Sequence, residues 1–322
     1  MSFGAAGVPP ALRRVLVAPT GHVRAPWRLA FYVVALMAGF YVASACTPVL
    51  YAAARLVVPR PSLENWVTLL GTLLAHVLCL RIVERRPWEA IRLGRHALAP
   101  RVLGLGTLLG ALAVAVPTGL LLAAGAYRVT AGPPGNTVAA ALTLLGALAP
   151  AALFEELLVR GYPFLVLRES LGSLPALLLT SAVFGALHWT NPGATVGSTL
   201  VVTLAGVFLG GILLATGSLW AAFAAHLAWN WTLAGGFHAL VSGLAFTAPV
   251  YRVVDAGPDW LTGGAWGPEG GAGAVAGMLA GLAFLHLRAG RSRRVEHAAA
   301  HAATRRFPAR DVAPSAAPDP LP

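Results

Sequence analysis

Ala149-Pro150-Ala151-Ala152-Leu153-Phe154-Glu155-Glu156-Leu157-Leu158-Val159-Arg160 sets two adjacent carboxylates inside an apolar run that extends over 137–159. A run of that length suits a helix crossing a bilayer, which needs about 20 apolar residues. Inside hydrocarbon a charged side chain costs about 2.5–3.5 kcal/mol on insertion scales. Two neighbouring glutamates therefore need partners or a chemical use.

The rest of the chain has the same apolar character. Of 322 residues, 57% are apolar types and 11% are charged, against about 25% charged in a soluble globular chain. Mean hydropathy is +0.72. That leaves too little polar surface to coat a soluble fold, and two cysteines cannot staple a disulfide scaffold of this size. The fold class this implies is an all-α, polytopic membrane helix bundle. Apolar runs fall at about 27–54, 65–83, 102–126, 137–159, 173–189, 196–215, 219–241 and 271–288, which predicts about eight transmembrane helices. Gly and Pro punctuate the gaps, as at Pro133-Pro134-Gly135 and Asn191-Pro192-Gly193. The first run starts too late and is too long for a cleaved signal.

All 23 basic residues are arginine, and the formal charge is +11. We read them as anchors of a membrane protein rather than as contacts to a nucleic acid. With eight spans, 19 arginines fall on the side of the two termini and 4 on the other. The positive-inside rule then puts both ends in the cytoplasm and the protein in the cell membrane as a multi-pass chain. The expected organisation is a cytoplasmic tail over 1–26, a bundle over 27–288 with its polar core at about 137–241, and a disordered Arg/Ala/Pro-rich tail over 289–322. The segment 81–101 reads as a cytoplasmic linker with a short interfacial helix around Trp88–Leu93.

Within the apolar runs the acids are Glu155 and Glu156, and the histidines include His76, His188, His226 and His238. Glu156 and Arg160 are four apart, so on a helix they share a face and can pair. Glu155 has no cation at that distance. Ala151 and Ala152 on its face leave room for a water or a substrate, which makes it the candidate general base. Phe184-x-x-x-His188 lies on a second helix and His226-x-x-x-Asn230 on a third. Lipid offers polar groups no partners, so the three sites are expected to converge in one cavity. That cavity is expected to open toward the Arg160 and Arg168 end. His76 and His238 lack such companions and read as structural.

Glu155-Glu156-x-x-x-Arg160, Phe184-x-x-x-His188 and His226-x-x-x-Asn230, in that order on successive helices, resemble the three motifs of the CPBP intramembrane proteases. That family includes the CAAX prenyl endopeptidases of the Ras-converting type and bacterial abortive-infection and bacteriocin self-immunity proteins. The resemblance covers about residues 140–240. It implies a membrane-embedded endopeptidase with catalytic residues Glu155, Glu156, Arg160, His188, His226 and Asn230, and a substrate that is a membrane-associated or C-terminally processed protein or peptide.

Peptide hydrolysis needs a base for the water and donors for the oxyanion. Glu155 and His188 can hold and deprotonate the water, with His226 and Asn230 facing the oxyanion. Alternatively a zinc ion takes His188, His226 and Glu155, a His₂Glu set. No His-Glu-x-x-His is present, and Asn230 suits an oxyanion donor better than a metal ligand; the sequence does not choose between the two, and zinc stands as a possible cofactor. Two further readings stand beside the protease. Intramembrane Glu and His also build proton-coupled transporters, although no internal repeat of the transporter kind is visible. A non-catalytic immunity or scaffold protein would need neither Glu155 nor His188.

Overall fold

The computed structural model describes residues 14–18, 23–54 and 60–306. The chain separates into two compact units, Met1–Leu282 and Ala283–Pro322. The first contains the bundle: α1 (Ala25–Ala45), α2 (Thr47–Ala54), α3 (Arg60–His76, continued as a π-helix over Val77–Val83), α4 (Pro100–Ala123), α5 (Thr137–Arg160), α6 (Tyr162–Leu171), α7 (Ser173–Leu187), α8 (Val196–Thr216), α9 (Leu219–Trp231, continued as a π-helix over Thr232–Phe237) and the start of α10 (Ala272–Arg306). The second unit is the continuation of α10 to Arg306. The last helix thus runs past the boundary expected at 288, and residues 307–322 of the expected tail lie outside the described residues. So do residues 1–13 and 19–22 of the N-terminal tail.

All eight apolar runs are helical. Among the described residues six helices are long and apolar enough to cross a membrane: Ala25–Val49, Leu63–Val83, Pro100–Ala123, Thr137–Leu171, Val196–Thr216 and Ala272–Arg291. Ser173–Leu187 is shorter, cut by Gly172 at one end and by the Asn191-Pro192-Gly193 turn beyond the other. The all-α, polytopic bundle stands, and the exact count of eight spans is not confirmed. The outer face is apolar, with Val34 and Leu120 each 66% exposed and Leu142 63%. Water would penalise such a belt and lipid accepts it.

Local sequence explains how the helices are held. Pro150 has no N–H, so the carbonyl of Gly146, four residues earlier, loses its helical donor. The Trp66 indole N–H donates to that oxygen at 3.1 Å, and Asn65 Nδ2 donates to Ala147 O at 3.0 Å. Both donors come from α3, so the kink point of α5 is satisfied without water. Gly106 and Gly110 on α4 lie against the carbonyls of Ala221 and Ala225 on α9, where any Cβ would collide. This small-x-x-x-small face brings α9 close to α4.

At one end of the bundle the linker closes over the helices. Arg28 on α1 pairs with Glu84 (2.8 Å) and Glu169 (2.9 Å), and the Tyr162 hydroxyl donates to Glu84. The interfacial helix expected around Trp88–Leu93 is a 3₁₀ turn over Trp88–Ile91. The other end carries an element the all-helical reading lacked. β1 (Tyr127–Ala131) pairs antiparallel with β2 (Tyr251–Asp255), Tyr127 opposite Asp255.

Candidate active site

Glu155 and Glu156 lie on α5, one turn before its end. The helix stops at Gly161, where a Cβ would strike His76 Nε2 and Leu157 O. Pro163 opens α6, and the Tyr162 N–H donates to His76 Nε2 at 3.2 Å. His76 Nδ1 lies 2.8 Å from Thr72 O. Both nitrogens of His76 are thus used in holding the bend, in keeping with a structural residue. His238 likewise bonds Tyr251 O at 2.9 Å and stacks on Tyr251.

The two glutamates have different environments. Glu156 and Arg160 are both fully buried and pair at 2.6 Å, as their spacing implies. Arg160 Nη2 donates to Gly206 O at 3.0 Å, and its guanidinium sits 4.5 Å from the Phe184 ring centroid. The oxygen of Glu156 that takes Arg160 also lies 3.0 Å from His226 Nδ1. That assigns the Nδ1 proton of His226 and turns its Nε2 toward Glu155.

Glu155 stands apart from this network, its side chain 25% exposed. Its Oε2 lies 3.8 Å from His188 Nε2 and 3.7 Å from His226 Nε2. Both separations exceed a hydrogen bond and suit a small bridging group. The same oxygen is buried and has no hydrogen-bond partner. His188 is the first residue past α7. Its Nδ1 lies 2.8 Å from Phe184 O, which fixes the ring and leaves Nε2 free. Phe184 packs edge-on against both imidazoles, with centroids 4.7 Å from His188 and 5.9 Å from His226.

Asn230 follows His226 by one turn of α9. Among the described residues its side chain makes no hydrogen bond, and it lines a pocket of about 440 Å³ together with His188, His226, Trp229, Ser242 and Glu269. Apolar walls come from Phe184 and from α8 residues such as Val202 and Phe208. The pocket reaches Ser242 and Glu269, and neither Arg160 nor Arg168 lines it.

Glu269 is the functional candidate that motif reading missed. It is buried, accepts from Trp229 Nε1 at 2.9 Å, and takes the Ser242 N–H at 2.6 Å and the Ser242 hydroxyl at 2.5 Å. Glu269 falls in Trp266-Gly267-Pro268-Glu269-Gly270-Gly271, a segment that reads as a connection. A search confined to acids within apolar runs passes over it.

Among the described residues no group of three or more His, Cys, Asp or Glu is arranged to hold a metal ion. The donor geometry at His188, His226 and Glu155 therefore lends no support to a metalloprotease, and the chemistry below uses the side chains alone.

Fold and site together define a class: a multi-pass, all-helical membrane protein with a Glu/His/Asn cluster buried between its helices. Residues 137–232 match the family model of Rce1-like proteins, type II CAAX prenyl endopeptidases. That segment carries every motif from Glu155 to Asn230, and its match supports membership of the CPBP family. The match indicates a membrane peptidase in general terms. Comparison with curated proteins and with solved structures gives no match.

Proposed function

We propose that the protein is an intramembrane endopeptidase in which Glu155 activates water for attack on a peptide bond. One observation carries this reading. The Nε2 atoms of His188 and His226 both face Glu155 Oε2, within 3.8 Å, while their Nδ1 atoms are anchored by Phe184 O and Glu156. A base flanked by two oriented imidazoles can hold one water molecule between them.

In the proposed reaction Glu155 takes a proton from that water and the water oxygen bonds to the carbonyl carbon. The carbonyl oxygen becomes the oxyanion and accepts from Asn230 Nδ2, with His226 Nε2 beside it when it carries a proton. Glu155 then passes the proton to the leaving amide nitrogen as the C–N bond breaks. His188 orients the water. Glu156 and Arg160 neutralise one another, so the second carboxylate fixes His226 instead of competing as a base.

The substrate class we propose is a membrane-associated or C-terminally processed protein or peptide, since the site lies among membrane helices and its pocket is largely apolar. We propose cell-membrane residence with both termini cytoplasmic on the arginine distribution. The test compares peptide termini in cells producing the wild-type protein with those in cells producing Glu155→Gln at equal abundance. New termini in the wild type that vanish in the variant are expected. Identical sets of termini would favour the non-catalytic scaffold.

A further inference from the structure

At the linker end of the bundle lies a second, shallow recess, open to solvent and lined by Arg92, Arg160 and Arg168 with Ile91, Phe164 and Leu213. No acidic residue lines it. The carboxylates of Glu84 and Glu169 are engaged with Arg28 and Arg86, and Glu156 with Arg160.

The three guanidinium groups carry unused donors. Arg160 is fully buried, yet its Nε has no hydrogen-bond partner. Arg92 spends one donor on Leu213 O at 3.0 Å. Arg168 makes no side-chain hydrogen bond among the described residues. Burial, and then the charge of Arg168, hold the Arg92 guanidinium below its ordinary value, as expected when two like charges face each other across an empty space.

The placement of Arg92 is built rather than incidental. Its backbone is left-handed, with φ 61° and ψ 32°, a conformation that side chains other than glycine rarely adopt. The Leu219 N–H, at the start of α9, donates to Arg92 O at 3.0 Å. Next to it Ser218 Oγ donates to Ala97 O at 2.6 Å, and Trp220 Nε1 donates to Leu93 O at 3.2 Å. The linker is clasped to the α8–α9 turn so that Arg92 faces Arg168.

We infer that Arg92 and Arg168 form a binding site for a phosphate group. Inorganic phosphate or a phosphomonoester offers three unesterified oxygens and a phosphodiester two, and planar bidentate pairing with two guanidinium groups suits either. The phosphate comes from an anionic lipid headgroup or from a soluble phosphate compound. Because Arg160 also holds Glu156, and Glu156 holds His226, an anion in this recess sits two side chains from the catalytic cluster.

The test uses the full chain purified in detergent, with two probes. One is inorganic phosphate against chloride at matched ionic strength, read by the thermal unfolding midpoint. The other is phosphatidylglycerol against phosphatidylcholine, read by native mass spectrometry of bound lipid. Wild type should bind at least one probe. The double variant Arg92→Gln/Arg168→Gln should bind it about tenfold more weakly or worse, the size expected for losing charge-assisted contacts. The Arg92→Lys/Arg168→Lys pair should keep part of the affinity, and Arg95→Gln, an exposed arginine on the same linker, should keep all of it. A response to inorganic phosphate identifies a soluble ligand, and a response to phosphatidylglycerol alone identifies a headgroup. Should the double variant fail to fold, Arg168→Gln serves alone, since that side chain holds nothing in the fold. No binding of either probe by wild type, or equal loss in Arg95→Gln, overturns the site. Neither readout depends on peptidase turnover.

Discussion

His226 Nδ1 and Glu156 Oε1 lie 3.0 Å apart, and that same carboxylate oxygen takes Arg160 at 2.6 Å. One glutamate therefore serves as the hinge between a buried cation and the His226 imidazole. Its neighbour Glu155, a single residue away, is left as the free carboxylate. Adjacent positions on a helix point about 100° apart, which is what lets identical side chains take separate tasks.

The first prediction separates those tasks. Glu155→Gln should abolish peptide cleavage with little change in the thermal unfolding midpoint in detergent. Glu156→Gln and Arg160→Ala should lower the midpoint as well as the rate, because breaking a buried pair costs about 3–5 kcal/mol. Equal losses of activity at all three positions with no change in stability would contradict the division.

Glu269 should be a holding residue for the pocket. Glutamine can accept at one position only, so Glu269→Gln opposes an N–H donor to the Ser242 or the Trp229 N–H. A buried donor left unpaired costs about 1–3 kcal/mol. Limited proteolysis should cut the segment 238–270 faster in the variant than in the wild type. An unchanged cleavage rate would show that Glu269 does not fasten that segment.

Metal removal gives a third expectation. Dialysis against a strong chelator should leave cleavage intact, since the proposed base and oxyanion donors are side chains and the nucleophile is a water they hold. Loss of activity restored by zinc, and by no other addition, would transfer the mechanism to a metal bound by His188, His226 and Glu155.

Topology gives the fourth. Reporters fused before Trp27 and after Arg294 should both read cytoplasmic. Opposite readings at the two fusions would mean an odd number of crossings.

Gly161→Ala tests the bend that presents Glu155 and Glu156. The added methyl meets His76 Nε2 and Leu157 O, and overpacking of this kind costs about 1–3 kcal/mol. A lowered unfolding midpoint is expected, and its partial recovery in Gly161→Ala/His76→Ala would locate the conflict at that histidine.

The sequence by itself determined what depends on composition and on short-range periodicity. Apolar runs broken by Gly and Pro set the helical membrane class, since lipid requires internally bonded backbone. The four-residue spacing of Glu156 and Arg160 set their pairing, because a helix fixes that geometry without help from the rest of the chain. The rarity of charge in hydrocarbon marked Glu155, His188 and His226. Tertiary structure alone decided the contacts between distant segments. Arg28 meets Glu84 and Glu169, β1 meets β2, and Glu269 reaches Trp229 and Ser242 only because the helices between them are stacked in one particular order. No local pattern records which distant carboxylate a buried donor will find. The packing of whole helices sets those distances.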